Sequence, residues 1–412
     1  MNRQPDIFLF NPTCEYAVAN GKTSWQPNRL LQKMETDLAT LPQFFAQPHD
    51  IVLTEKLPSS EFTCSFNRFE YQPPQFFRKH DFIEEAKIKP NILNRLVPWG
   101  WSLAAHNLLS PLKNFCSHEF RNSPVFNWKP ESKELYSKRF ALEVLTKLLS
   151  EQHYDFFLPE YLLTEICTTQ SEIEKNISKW EKVMIKAPWS CSGRGLQPIT
   201  KTPVHPKVWE KIKGIINTQG FVIAEPYLNK AADLALQFKI EKGEIDFLGI
   251  SNFFTDSKGQ YQGNFIHGVP NEYDKETVAF LKFLPDVLVK PIITTLESSR
   301  LSLLYEGNFG VDMLIFRDEK NRLKVNPCLE INLRQSMGLL ALQLCKLVSP
   351  DKMAVYRMFY QQGKSFFEFK NEMIKKHPPE FVNGKLNSGF FALTEADENT
   401  QFGAYLFVIT RQ

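Results

Sequence analysis

Two short stretches constrain this chain more than any others: Gly310-Val-Asp-Met-Leu-Ile-Phe316 and, beyond the polar turn Arg317-Asp-Glu-Lys-Asn-Arg322, Cys328-Leu-Glu-Ile-Asn-Leu-Arg334. Apolar runs on either side of a polar turn predict a β-hairpin over Phe309 to Ile331. Strand side chains alternate, so Glu330 and Asn332 project from one face and present oxygen ligands side by side. Asp312 joins them if the register puts even-numbered residues on that face, which the letters suggest without fixing. Hard oxygen donors of this kind suit Mg²⁺, which takes one or two carboxylates and completes its shell with phosphate and water oxygens. Arg334 continues the face and offers a fork for a phosphate. An edge hairpin with solvated charges would carry the same letters, so the pattern needs support from elsewhere in the chain.

The chain has 412 residues, room for two or three structural units. Hydrophobic residues at 43% and charged residues at 23% describe an ordinary globular composition. A scattered net charge of +3 gives no footprint for nucleic acid. Seven cysteines without a C-x-x-C pair suggest reduced thiols and a cytoplasmic protein. The apolar run Ile7 to Phe10 stops at Asn11-Pro12, too soon for a signal peptide or a membrane span.

Asp6 to Phe10 and Asp50 to Thr54 read as buried strands, with a helix from Pro27 to Leu38 between them. That is a Rossmann-like beginning, yet no G-x-G-x-x-G follows the first strand and a dinucleotide site has no support. Helices are expected at Ser137 to Leu149 and over 341 to 362. Strands are expected at Lys182 to Lys186, Gly220 to Glu225, Asp233 to Ile240 and Ile245 to Ile250, with closing strands at Gly389 to Thr394 and Ala404 to Ile409. The division expected is 1–125, 126–362 and a C-terminal extension, 363–412.

Four features in order resemble the ATP-grasp superfamily over roughly residues 130 to 345. Ser137-Lys138-Arg139 ahead of Phe157-Leu-Pro159 is similar to the first lysine element. Val183-Met-Ile-Lys186, followed by Ser190-Cys-Ser192-Gly193-Arg-Gly195, looks like a second lysine ending a strand before a small Gly-rich loop. Ile223-Ala-Glu225-Pro-Tyr227-Leu228 with Asp233 resembles the hinge, and the E-x-N-x-R hairpin is the last element. The resemblance implies an α/β ATP-grasp fold with a preceding Rossmann-like domain, a lid at about 137–230 and a metal-binding hairpin at about 309–334.

It also implies roles. Lys138 and Lys186 would meet the ATP phosphates, and loop amides around Ser190, Ser192, Gly193 and Gly195 would cradle them. Glu225 and the backbone of Tyr227 and Leu228 would meet adenine, and Asp233 the ribose hydroxyls. Asp312, Glu330 and Asn332 would hold Mg²⁺, with Arg334 and Lys186 catalytic. Taken singly, each has a plainer reading: a solvated lysine, a polar turn, a strand end. His267, Cys191 and the pair Trp99 and Trp101 read more simply as an ordinary hydrogen-bonded residue, a loop thiol and packing. Asn11 and Glu15 lie where an open α/β sheet presents ligands. The activity implied is ATP-dependent ligation of a small-molecule carboxylate to an amine or thiol. Alternatives are an ATP-grasp kinase or a non-catalytic nucleotide-binding scaffold. The absence of a Pro between Asn332 and Arg334 leaves the subfamily unassigned.

Overall fold

The computed structural model describes residues 3–88, 92–190, 195–256 and 259–409. They divide into two compact units, one built from Met1–Trp128, Gln262–Pro270 and Arg334–Gln412, the other from Lys129–Tyr261 and Asn271–Leu333. The expected segment 126–362 thus distributes over both, and 363–412 belongs with the first.

In the first unit, four short strands form a parallel sheet in the order Gln75–Arg78, Ile51–Thr54, Ile7–Leu9, Leu96–Pro98. Both Ile51 and Leu96 pair with Ile7. The expected helix is Arg29–Asp37, where the Asn28 side chain accepts from the Leu31 amide at 3.0 Å. Pro27 therefore precedes the cap, and Asn28 supplies the orphan amide with its acceptor. At the amino edge, Asp6 accepts from Asn94 at 2.6 Å and Arg95 at 2.9 Å, and Asp50 accepts from the Asp6 amide at 2.9 Å.

An antiparallel set completes this unit. Met353–Tyr360 pairs with Tyr261–Ile266 and Phe402–Ile409, which in turn pairs with Lys385–Ala392. The helix expected over 341 to 362 is therefore wrong for most of its length. Met337–Leu344 is helical, capped by Ser336 to the Leu339 amide at 2.9 Å. Pro350 then restricts the residue before it to extended backbone, and Met353-Ala-Val-Tyr-Arg-Met-Phe-Tyr360 becomes a strand. The aromatic core joins distant parts of the sequence, with Phe44, Phe66 and Trp99 in one cluster with Tyr356, Phe391 and Phe402.

The second unit holds two sheets. A smaller one, in the order Glu165–Cys167, Val222–Pro226, Val183–Lys186, Leu196–Ile199, packs against helices Gln170–Trp180 and Pro206–Gln219 through Ile173, Ile185, Ile212 and Val222. The larger set runs Leu323–Asn332, Gly307–Arg317, Asn229–Glu241, Glu244–Thr255, antiparallel throughout. Helices Lys138–Glu151 and Lys275–Glu297 pack on it. The second of these escaped the sequence reading because Pro285 and Pro291 lie inside it. Each proline removes one backbone bond, but Leu284, Leu288, Ile292 and Leu296 recur every fourth residue and are wholly buried, and this stripe holds the helix.

Among the described residues no helix is long and apolar enough to cross a membrane. The six described cysteines are free thiols.

Two stability predictions follow from packing in the first unit. Gly389 has φ +84°, and a Cβ there would lie 2.1 Å from the Pro378 carbonyl oxygen. Gly389→Ala should lower unfolding free energy in urea by about 1–3 kcal/mol, and an unchanged midpoint would contradict the packing. Burial, with Lys113 adding to it, lowers the His106 pKa to about 3, so the folded state keeps this ring neutral. The unfolded chain binds the proton near pH 6.5. The stabilisation is thus full above pH 6.5 and is lost as pH falls toward 3, by up to about 1.4 kcal/mol per pH unit. His106→Gln should flatten that part of the acid limb in pH-dependent urea melts.

Candidate functional site

The hairpin register settles where the metal candidates stand. Asp312 lies directly across from Glu330, and Gly310 across from Asn332. Opposed residues of an antiparallel pair share a face, so Asp312, Glu330 and Asn332 are together. Asn332 Nδ2 donates to Asp312 Oδ2 at 3.0 Å. Beyond Asp312 the ladder slips: Leu314 faces Asn326, leaving residues 327–329 opposite Met313. Pro327 sits in this bulge, where a residue without an N–H does least harm to the ladder.

The same face continues onto the next strands. Asp233 lies opposite Leu314, Gln237 opposite Gly310 and Ala235 opposite Asp312, while Ser251 pairs with Ala235. Gln237 Nε2 donates to Ser251 Oγ at 3.0 Å, both side chains buried. The opposite face is fully apolar: Leu234, Leu236, Phe238, Val311, Met313 and Ile315 are all inaccessible. One face therefore builds the core and the other carries oxygen donors. Gln237, Ser251 and Asn326 were missed in the sequence, although continuing the period-two count from Asp233 reaches Gln237.

Lys138 opens helix Lys138–Glu151, next to the Ser137 cap. Its ammonium donates to Glu330 Oε1 at 2.8 Å, to Ser190 O at 3.1 Å and to Ser190 Oγ at 3.3 Å. Its side chain is 6% exposed and that of Glu330 26%. Lys186, ending its strand, pairs with Glu225 Oε2 at 2.5 Å, with 9% and 12% of the two side chains exposed. Glu225 lies on the neighbouring strand opposite Met184, one diagonal step from Lys186. Ion pairs this enclosed are not the solvated surface charges a lone lysine usually signifies.

The loop after Lys186 is described only at its ends. Ser192 and Gly193, with Cys191, lie outside the described residues. Ala187 donates its amide to the Gly195 carbonyl at 3.0 Å, and a Cβ on Gly195 would fall 2.3 Å from Ser190 Oγ. Only glycine permits that approach.

At the hinge, the Tyr227 amide donates to the Lys182 carbonyl at 3.0 Å, its ring is exposed, and Leu228 is half-buried. Asp233 is buried and accepts from Lys230 at 2.8 Å and Thr255 at 3.2 Å. Tyr273 stands beside it; burial, with the Asp233 charge adding to it, pushes this phenol up to about 12.

Two carboxylates with an amide oxygen fit Mg²⁺, which completes such a set with phosphate and water oxygens. Among the described residues no three His, Cys, Asp or Glu side chains gather as a metal site. A transition-metal centre thus has no such cluster to rest on. Cys328 is buried beside this set; burial, then the Asp312 charge, pushes its thiol up and keeps it protonated.

Arg334, Asn11 and Glu15 belong to the first unit. Arg334 Nε donates to Glu15 Oε1 at 3.0 Å, and a Cβ on Gly100 would lie 3.2 Å from Arg334 Cβ. Asn11 bonds both polar groups of Gly100, at 2.8 and 3.3 Å. Trp99 packs edge-on against Phe10, and Trp101 stacks on His106 at 4.4 Å. His267 Nε2 donates to the Cys345 carbonyl at 3.0 Å.

No family model matches the sequence, and no curated protein does. Solved structures do match. The biotin carboxylase of Campylobacter jejuni, in a β-γ-ATP complex, is 13% identical with a TM-score of 0.52, over 99% of this chain and 88% of that one. The biotin carboxylase domain of the Hydrogenobacter thermophilus 2-oxoglutarate carboxylase, with MgADP, ADP and bicarbonate, is 11% identical with a TM-score of 0.51, over 100% and 87%. N5-carboxyaminoimidazole synthetase from Staphylococcus aureus, with ADP, is 15% identical over 99% and 94%, at a TM-score of 0.48. At these identities the first two likenesses speak for the fold alone.

The enclosure of Lys186 makes a prediction independent of any ligand. Lys186→Ala leaves the Glu225 carboxylate enclosed without its cation and should cost about 3–5 kcal/mol in urea unfolding. Adding Glu225→Leu should recover part of that loss, and strict additivity of the two changes would deny the coupling.

Proposed function

The chain has the ATP-grasp fold, and from that premise we propose that it binds Mg²⁺–ATP and ligates a small-molecule carboxylate to an amine. The observation that supports this reading most is the register that sets Asp312 opposite Glu330 with Asn332 on the same face. A scaffold that only bound nucleotide would need no such set.

In this proposal Asp312, Glu330 and Asn332 hold the metal. Held there, Mg²⁺ would supply charge neutralisation to the nucleotide phosphates. Lys138 and Lys186 neutralise phosphate charge, and the amides of the Ser190, Ser192, Gly193 and Gly195 loop orient those oxygens. Glu225 and the Tyr227 and Leu228 backbone take adenine, with Tyr227 acting through groups other than the N–H given to Lys182. Asp233 takes the ribose, exchanging Lys230 or Thr255 for a hydroxyl. Arg334, held at Nε by Glu15, is the proposed catalytic guanidinium.

A substrate carboxylate oxygen attacks the γ-phosphorus, the bond to the β-bridging oxygen breaks, and ADP leaves. The amine nitrogen then attacks the acyl carbon, inorganic phosphate departs, and the nitrogen gives up a proton. The loose phosphoryl transition state asks for positioning and charge more than for covalent help.

ADP release in the presence of Mg²⁺, pooled small acids and amino acids tests the proposal, with hydroxylamine added to trap acylphosphate. A hydroxamate with stoichiometric ADP is expected. A phosphate ester without a hydroxamate would assign the chain to the kinase alternative. Glu330→Gln should abolish acid-dependent ADP release while the far-ultraviolet circular dichroism stays that of the parent; full turnover in this variant would overturn the metal assignment.

A further inference from the structure

An ammonium group has three N–H donors. In this structure all three from Lys138 have acceptors, one of them the carboxylate of a proposed metal ligand: Glu330 Oε1, Ser190 O and Ser190 Oγ. A lysine so engaged cannot add a phosphate oxygen without releasing something. Of these bonds, the charge-assisted one to Glu330 is the shortest, at 2.8 Å. Glu330 is also the more exposed partner, with 26% of its side chain accessible against 6% for Lys138. A cation arriving from solvent therefore meets the carboxylate before the ammonium.

We propose that Glu330 latches Lys138 in the nucleotide-free chain and that metal binding at Glu330 hands this ammonium to the nucleotide phosphates. The inference rests on the ATP reading above and adds a property that reading does not require: Mg²⁺ acts on nucleotide affinity through a lysine as well as through its own charge. Asp312 is the natural comparison. It stands in the same cross-strand pair, and it accepts from Asn332 Nδ2 at 3.0 Å. Losing its charge relieves the same general repulsion toward phosphate while the Lys138–Glu330 bond stays in place. Lys186 marks the limit of the device. Its partner Glu225 is outside the proposed metal set, so that pair has to open without help from the metal.

The test is calorimetric titration of the full chain with ADP, in EDTA and then in Mg²⁺, with no turnover involved. Glu330→Gln should raise metal-free ADP affinity about tenfold over the parent, the scale of one freed charged contact. Asp312→Asn should raise it less than about threefold, and Glu330→Gln combined with Lys138→Met should return it to the parent value. Equal gains in the two single variants would reduce the effect to charge repulsion and overturn the latch, as would a gain that survives Lys138→Met. If Glu330→Gln does not fold, Glu330→Ala removes the same contact; the same gain in metal-free affinity, lost again on adding Lys138→Met, is expected, and no gain would overturn the latch. Failure of the parent to bind ADP even with Mg²⁺ would sink the functional proposal itself, whereas binding without the Glu330→Gln gain sinks only the latch.

Discussion

Backbone hydrogen bonds tie Gly307–Arg317 to a strand on either side, and the chemistry proposed for the second unit depends on that ladder. Because opposed residues share a face, one register places Leu234, Leu236, Val311 and Met313 in the core and Asp233, Gln237, Asp312 and Glu330 on the other side. A slip of one residue would exchange them, exposing a large apolar surface and burying carboxylates. The hydrophobic effect that drives the unit to fold thus also aligns its polar face. The bulge at residues 327–329 shifts the pairing by two, which keeps the alternation intact on both sides of Pro327.

Enclosing charge is the second constraint. Taking an ammonium group out of water is costly without acceptors, and Lys138 and Lys186 each have a carboxylate within hydrogen-bond distance. Pairing of this kind contributes little net stability but makes removal of one partner expensive. It also means that the cations proposed to meet phosphate are already satisfied when no ligand is present. Affinity in such a site is a difference between two sets of bonds, not a sum of new ones.

How much was legible beforehand depended on whether a signal was local. The hairpin, the lysine that ends its strand and the helix opening at Lys138 all carry period or cap signals within a few residues, and each element is found where it was read. The ATP-grasp fold came from the order of those elements. What failed had a non-local cause. Met353–Tyr360 was taken as helix because its burial is set by Phe402–Ile409, some fifty residues downstream, and not by its own period. Lys275–Glu297 was passed over because prolines mask a stripe that only its sheet neighbours explain. Partners such as Glu330 for Lys138 are 192 residues apart, and no spacing rule reaches across that distance.

The first unit is stitched from three pieces of chain, with its aromatic core drawn from both ends of the sequence. Synthesis from the amino terminus delivers Phe44, Phe66 and Trp99 before the second unit is made, while Tyr356, Phe391 and Phe402 follow only after it. The second unit is complete in sequence by Leu333, so its contacts are available while the first still lacks part of its interior. Aromatic side chains of the opening segment therefore lack part of their native surroundings until the segment after Leu333 has been made. A gene cut near residue 128 would yield a fragment permanently in that state.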